Sequence, residues 1–449
     1  MVLPNNKGWG VMQNTVARAE LRAAPSVRPE SSARLGLQRI VEALMPKIRL
    51  AIIFGGDKSA PGSVLYQSNN TRSWKSYEVV AEDIAASLRR SGFRHVDVIP
   101  EDMALSGRLH SNHIHMAWLN SGGVQGHNSA AHAPSMLEML GVPYVGHDPL
   151  NATTLDNKHA FKRGVVCTGL PTAPFITWHM GRGSFQPENN SRFKLAFGNY
   201  EGPFVVKPVS GRASLHVHVV QTIKELPDVV ADVYNTTGNL VLVEKYLSGR
   251  EFCISVAGRI TSQNGQIFRN REPLAFGALE RVLQSDELIF TSMDHRPITS
   301  KRFKEVDPRE GKIWSELHRI ARDVFLEFNL GSLIRLDLRA DQDNNLFILE
   351  ANPKPDLKYP TTGVTSLVGA GLAQTNLNYD DLIVSMFADR LDYLLRHRRE
   401  SVAHILDLVP SQKLDLSEFD PAFGRLEQET DTMVHMLAEK ARQMGFYEA

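Results

Sequence analysis

Leu333-Ile-Arg-Leu-Asp-Leu-Arg-Ala340 and Leu346-Phe-Ile-Leu-Glu-Ala351 are alternating runs joined by the turn-rich Asp341-Gln-Asp-Asn-Asn345, and together they read as a β-hairpin. Alternation places Leu333, Arg335, Asp337 and Arg339 on one face, with Ile334, Leu336 and Leu338 on the other. On the return strand Glu350 and Asn352 share a face. If Gln342 to Asn345 form the loop, Asp337 lies directly across from Glu350. Opposed like charges destabilise a sheet, so this register predicts a cation between them. Two readings stay open. Asp337, Glu350 and Asn352 are hard oxygen donors suited to Mg2+ bound together with phosphate oxygens, with Arg335 beside a phosphate or an oxyanion. Alternatively, the face is solvated and carries an Arg–Asp–Glu ion-pair cluster.

Two segments upstream add to the pattern. Val205-Val-Lys207-Pro208 ends an apolar strand in a lysine and runs into Val209-Ser-Gly-Arg-Ala-Ser-Leu215, a small-residue loop whose N–H groups suit a polyphosphate. No Gly-Lys-Ser/Thr opens a helix there, so it is not a Walker A loop, and an edge-strand lysine before a turn is the plainer alternative. Val243-Glu244-Lys245-Tyr246-Leu247, followed by Gly249-Arg250-Glu251, exposes backbone groups beside an apolar residue, with a carboxylate four residues on. Such a hinge suits adenine and ribose; an acidic loop between strands is the other reading.

Further out, Ile48 to Phe54 is a strand running into Gly55-Gly56, and Val80, Ile84 and Leu88 mark a helix from Tyr77 that stops at Gly92. Val96 to Ile99 and Val142 to Gly146 read as strands, and Pro134 to Leu140 as a helix ending at Gly141. This alternation predicts a parallel sheet with covering helices over 48–150. A helix from Asn151 carries Lys158, His159 and Lys162, Met180 to Ser191 reads as a surface loop, and Ile313 to Phe328 as an amphipathic helix ending at Gly331. His113 and His115 would share a strand face near His110, His127 and His132, where structural or substrate-pocket roles are favoured over metal.

Composition narrows the function classes. The chain has 449 residues, which suggests roughly three units, and 50 basic against 50 acidic residues. A neutral chain lacks the long-range field of a nucleic-acid binder or a polybasic membrane anchor, and no apolar run approaches a membrane span. Cys167 and Cys253 are too few for a disulfide framework or a four-cysteine zinc site, which points to a cytoplasmic setting. Residues 1–47 read as a solvated extension with a short helix, and 396–449 as a helical tail. Its stripe of Leu426, Met433, Leu437 and Met444 suits packing or a homodimer face.

The order of phosphate lysine, then Glu-Lys-x-Leu with Arg-Glu, then Arg-x-Asp with Glu-x-Asn resembles the ATP-grasp superfamily, and more closely the D-alanine–D-alanine ligase family. The resemblance covers about residues 48 to 395, including Ile53-Phe-Gly-Gly56, Met139-Leu-Gly-Val-Pro-Tyr-Val-Gly146 and Thr365-Ser-Leu-Val368. It implies an α/β N-terminal domain (48–150), then α+β lobes clamping ATP: a central one (151–238) and a C-terminal one with the metal site (239–395). It also implies that Lys158 and Lys207 contact ATP phosphates, that Glu244, Lys245 and Leu247 hold adenine, and that Glu251 holds ribose. Asp337, Glu350 and Asn352 would bind two Mg2+ ions, with Mn2+ an alternative. Arg335 would stabilise an oxyanion, and Ser366 with Leu367 would lie beside the second substrate. The implied activity is an ATP-dependent ligase that phosphorylates a carboxylate, which an amine then attacks; its partners are small molecules.

Several positions depart from that family. No glutamate follows Gly55-Gly56 until Glu78, and Asn120-Ser-Gly-Gly-Val-Gln-Gly-His-Asn-Ser129 lacks two expected acids. Arg212-Ala213-Ser214 replaces a Gly-Ser-Ser-x-Gly run, and Pro353-Lys-Pro-Asp-Leu-Lys358 is longer and more basic than expected; solvated loop lysines are the favoured reading of Lys354 and Lys358. These changes fall on the substrate side and predict substrates other than two D-alanines. A ligase-like enzyme that joins an amino acid to mycosporine-glycine, forming an imine, is one relative kept in view. A non-catalytic ATP-binding regulator is the alternative of another class.

Overall fold

The computed structural model of the chain describes residues 36–56, 76–124, 126–211, 214–290, 298–361, 365–414 and 416–419. The first unit has α1 (Gly36–Leu44), β1 (Arg49–Phe54), α2 (Glu78–Arg90), β2 (His95–Pro100), α3 (Leu105–Ser111), β3 (Met116–Leu119), α4 (His132–Leu140) and β4 (Tyr144–Val145). All neighbouring strands are parallel, in the order β2-β1-β3-β4. A continuous apolar run such as Leu50 to Phe54 is what a parallel strand covered on both faces requires. α4 begins at His132, earlier than Pro134 suggested, and Gly141 ends it with φ +66°. His113 does not share a strand face with His115: it sits at φ +50° in the turn before β3, and His115 Nδ1 accepts the Arg49 N–H.

The single helix expected from Asn151 is two, α5 (Pro149–Asp156) and α6 (Lys158–Cys167). Asn157 is extended between them, and its side chain caps α6 by accepting from His159 and Ala160 N–H. This break puts Lys158 at the first position of α6. The second sheet contains β5 (Phe175–Trp178), β6 (Phe204–Pro208), β7 (His218–Val220) and β8 (Val241–Lys245), in antiparallel order β5-β8-β6-β7, covered by α7 (Ser191–Phe197) and α8 (Leu226–Thr237). Since β8 is an inner strand of this sheet, the lobe runs to Lys245, beyond the division expected at 238. The surface loop expected over Met180 to Ser191 is pinned at Phe185, which is fully buried against Trp178 and Phe193.

The third sheet has the order β13-β12-β9-β14-β15. It is built from β9 (Glu251–Ala257), β12 (Leu274–Arg281), β13 (Phe303–Glu305), β14 (Ile334–Ala340) and β15 (Leu346–Asn352), with β10 (Ile260–Gln263) and β11 (Gln266–Arg269) as a side hairpin. α9 (Lys312–Glu327) covers one face with Leu317, Ile320 and Val324. It ends before Asn329, which takes φ +48°, rather than at Gly331; asparagine tolerates the left-handed region.

After α10 (Leu367–Gly371), the helix α11 (Tyr379–His397) ties the units together: it packs with α1, α2 and the β10–β11 hairpin in one core. α12 (Ala403–Leu406) follows. The expected solvated extension is corrected by the buried Leu37, Ile40, Val41 and Leu44, which make residues from 36 onward part of that core. The Glu418 carboxylate accepts the Gly36 and Leu37 N–H groups at 2.7 and 2.9 Å, supplying an anion at the start of α1. The Leu426 to Met444 stripe lies outside the described residues, as do 57–75 and Arg212-Ala213. Among the described residues no helix is long and apolar enough to cross a membrane.

Phe387 of α11 is fully buried and meets Phe93 edge-on, with ring centroids 4.9 Å apart. Phe387→Ala should lower the unfolding free energy by about 3–5 kcal/mol, read as an earlier urea midpoint. A loss below about 1 kcal/mol would show that this helix is not a tie between the units.

Candidate active site

The third sheet builds the site by register. Arg281, Glu251 and Arg339 lie in a row across β12, β9 and β14. The next row holds Leu279, Cys253, Asp337 and Glu350, and the one after it Ser255, Arg335 and Asn352. A period of two puts all three rows on one face. Asp337 does face Glu350, but not through a four-residue loop. Ala340 pairs with Leu346, and the shift between Asp337 and Leu338 leaves Leu349 as a bulge that restores the opposition. The face forms one wall of a cleft of about 430 Å³, within the size range of small-molecule sites. Val205, Lys207 and Lys245 line it from the second sheet, and Tyr77 and Val80 from the first unit.

In place of one cation between Asp337 and Glu350, the two carboxylates have separate partners, and those of Asp337 are arginines. Arg335 Nε and Nη2 donate to its two oxygens at 2.8 and 3.0 Å, Arg281 Nη2 lies 2.7 Å from Oδ1, and Asn352 Nδ2 donates at 3.3 Å. Burial alone would raise the Asp337 carboxyl; Arg281 and Arg335 overcome it and hold the group at about 2. Glu350 pairs with Lys158 Nζ at 3.2 Å, and the same ammonium donates to the Gly211 carbonyl at 2.8 Å.

Glu244 is not free to hold a base with its side chain. It is buried between Lys207, which donates to Oε1, and Lys162, 3.0 Å from Oε2. Burial again opposes ionisation, and the two ammonium groups hold the carboxyl at about 2. Burial also pushes the Lys162 amine down, opposed by Glu244 and reinforced by Lys207. Leu247, Leu349, Ile289 and Phe290 give the same cleft apolar lining, and Lys245 Nζ lies 4.9 Å over the Tyr200 ring. Glu251 is engaged as well, with Arg281 at 3.0 Å and Arg339 at 3.5 Å. Ser366 is buried as the N-cap of α10, accepting the Gly369 N–H at 2.9 Å, while Thr365 and Leu367 line the cleft. Lys354 and Lys358 are not solvated loop lysines: both are half-buried and line the cleft, Lys354 standing 3.3 Å over the Tyr77 ring.

Sequence reasoning missed Arg281 and Lys162 as members of this constellation. For Lys162 the signal was its spacing, one helical turn beyond Lys158. For Arg281 it was a basic residue closing the apolar run Leu274-Ala-Phe-Gly-Ala-Leu-Glu-Arg281, with no local motif to give it a role. Among the described residues no three His, Cys, Asp or Glu side chains form a preformed metal cage. Two carboxylates and an amide on adjacent strands still fit Mg2+, which keeps few protein ligands and shares phosphate oxygens.

Much of the chain is similar in sequence and fold to known proteins. Residues 165–388 match the family model described as D-ala D-ala ligase C-terminus. An uncharacterized protein of Sinorhizobium fredii is 28% identical over 57% of this chain and 70% of its own length. A D-alanine–D-alanine ligase of Aliivibrio fischeri is 26% identical, but over only 50% of this chain and 63% of its own. One from Halorhodospira halophila is 26% identical over 76% of this chain and 96% of its own. Among solved structures, D-alanine–D-alanine ligase from Bacillus anthracis complexed with ATP superposes with TM-score 0.53 at 18% identity, covering 77% of this chain and 97% of that one. D-alanyl-alanine synthetase A from Vibrio cholerae gives TM-score 0.56 at 18% identity, covering 77% and 99%. These superpositions carry the fold.

Glu244, like Asp337, makes the site acid-sensitive. Its folded value of about 2 lies below an unfolded value near 4.3, so its stabilisation is present above pH ~4.3 and is lost as pH falls toward 2. Glu244→Gln leaves two buried ammonium groups without their anion and should cost about 3–5 kcal/mol at pH 7. The gap between wild type and variant should narrow as urea unfolding is repeated from pH 4.5 down to 2.5. A gap independent of pH would contradict the ion-pair account.

Proposed function

We propose, for a chain that is an ATP-grasp, D-alanine–D-alanine ligase-like protein, that it joins a carboxylate or activatable carbonyl substrate to the amine of an amino acid, converting ATP to ADP and phosphate. The observation that carries this reading is the single cleft face shared by Arg335, Asp337, Glu350 and Asn352, with Lys158 and Lys207 on its rim.

In this reading the apolar lining at Leu247 takes adenine together with the backbone at Glu244 and Lys245, and Glu251 faces the ribose. Lys158 and Lys207 hold the phosphates. Asp337, Glu350 and Asn352 hold Mg2+, or Mn2+ in its place, which neutralises phosphate charge when bound. The substrate carboxylate attacks the γ-phosphorus and ADP leaves, giving an acyl phosphate. The amine then adds to the acyl carbon, and the Arg335 guanidinium, fixed on a strand, stabilises the developing oxyanion. Phosphate leaves and the nitrogen loses a proton.

Substrates other than two D-alanines are favoured by what lines the first-substrate side. Glu78 is exposed in the first turn of α2 and is not part of the cleft wall, whereas Lys354 and Lys358 are. A screen of amino acids against small carboxylates, read by coupled ADP release and product mass, should find a pair that turns over only with both partners present. Arg335→Met should lower kcat about 10²–10³-fold on that pair, and Glu350→Gln should lower it comparably. Unchanged turnover in Glu350→Gln would remove the metal assignment, and ATP binding with no turnover on any pair would favour the non-catalytic reading.

A further inference from the structure

Arg281 enters the cleft from the end of β12 and stands between two carboxylates. Its Nη1 lies 3.0 Å from Glu251 Oε1, and its Nη2 lies 2.7 Å from Asp337 Oδ1. The guanidinium carbon is 5.0 Å from the Phe290 ring centroid. The side chain is 8% exposed, and its Nε is buried without a hydrogen-bond partner among the described residues. A carboxylate offers about four acceptor positions. At Asp337 they are taken by Arg335 Nε, Arg335 Nη2, Arg281 Nη2 and Asn352 Nδ2.

A divalent ion binding Asp337 needs one of those positions at about 2.0–2.1 Å. It would then stand within a few ångströms of a guanidinium, in a buried setting where like charges repel strongly. Metal and arginine therefore compete for the same oxygen. Arg335 is gripped twice by the carboxylate two residues along its own strand. Arg281 makes one contact to Asp337 and keeps a second anchor, because Glu251 lies opposite it in the β9–β12 register. It can release Asp337 without losing its only counter-charge. Once it does, Nη2 and the unpartnered Nε are donors in a cleft that also holds Lys158 and Lys207.

We propose that Arg281 is a placeholder cation: it occupies Asp337 while no metal is bound, yields it to a divalent ion, and, still tethered to Glu251, turns its free donors to the phosphates of the nucleotide. This rests on the metal and nucleotide reading given above. It makes metal and nucleotide binding mutually favourable, since the phosphates receive the charge that the metal displaces. The Asp337 carboxylate thus keeps a counter-charge at every stage, and free metal is held weakly until nucleotide arrives.

The test is Mn2+ binding by the full chain, followed by electron paramagnetic resonance with and without a non-hydrolysable ATP analogue, the signal of the Mn2+–analogue complex in solution being subtracted. Wild type should bind Mn2+ weakly alone and at least tenfold more tightly with the analogue. Arg281→Met keeps the bulk and removes the charge; it should bind Mn2+ alone at least tenfold more tightly than wild type and lose a similar factor of the nucleotide-induced gain. A merely structural lesion would weaken metal binding instead. Arg281→Lys cannot span both carboxylates and should fall between the two, which keeps the test decisive if the methionine variant does not fold. Nucleotide-free Mn2+ affinity within twofold of wild type in the folded variant overturns the proposal while leaving the site reading intact. Failure of wild type to take up Mn2+ even with the analogue overturns the site reading itself, and the proposal with it.

Discussion

Charge pairing across one buried sheet face is the constraint on which the site depends. The register of β12, β9, β14 and β15 turns Arg281, Glu251, Arg339, Asp337 and Arg335 toward the same cleft. Charges so little exposed are tolerated only when each has a partner, and here each carboxylate touches two guanidiniums. Lys162 and Lys207 repeat the scheme around Glu244. In both clusters the cations outnumber the anions. The surplus is what a polyphosphate would neutralise, and a low-dielectric wall focuses it into the cleft.

Much of this was legible in the sequence because its signals are short and periodic. Alternation in Leu333 to Ala340 and Leu346 to Ala351 gave the hairpin and the faces of its side chains, since a strand repeats every second residue. The loop length was not legible: a bulge at Leu349 adds one residue without disturbing the apolar pattern, so a four-residue loop and a longer loop with a bulge give the same Asp337–Glu350 pairing. The break at Asn157 was hidden because the residues on both sides are helical, and only capping separates them. Lys207 was marked by the strand and loop around it, and Lys158 by the family resemblance. Arg281 was not, because Asp337 lies far away in sequence; Lys162 shares a helix face with Lys158, but that spacing does not report its contact with Glu244.

The ends of the fold show the same limit. An arginine-rich, proline-bearing start reads as solvated, yet Leu37, Ile40, Val41 and Leu44 fill the core shared with α11. A short helix was legible there, but nine residues are too few for the stripe alone to show that the helix is buried. Its stability comes from elsewhere in the chain: Phe419 packs into the same core and the neighbouring Glu418 caps the helix. One core thereby joins the first sheet, α11 and the β10–β11 hairpin, so the cleft wall formed by Tyr77 and Val80 is held against the wall formed by β14 and β15.

A stability argument does not account for the charges themselves. Replacing a buried ion cluster with apolar residues of similar volume is often neutral or favourable, because desolvation offsets much of the Coulomb attraction. The opposite face of the same strands shows what the alternative looks like: Ile334, Leu336 and Leu338 pack against Leu317, Ile320 and Val324 with no charge among them. The face that carries the guanidiniums is the one open to the cleft, where contacts among them can be exchanged for contacts with a ligand. Arginine suits such exchange better than lysine, since its planar fork can hold one carboxylate while it releases another. The asymmetry between the two faces of one sheet therefore points to chemistry, because packing alone would have made both faces alike.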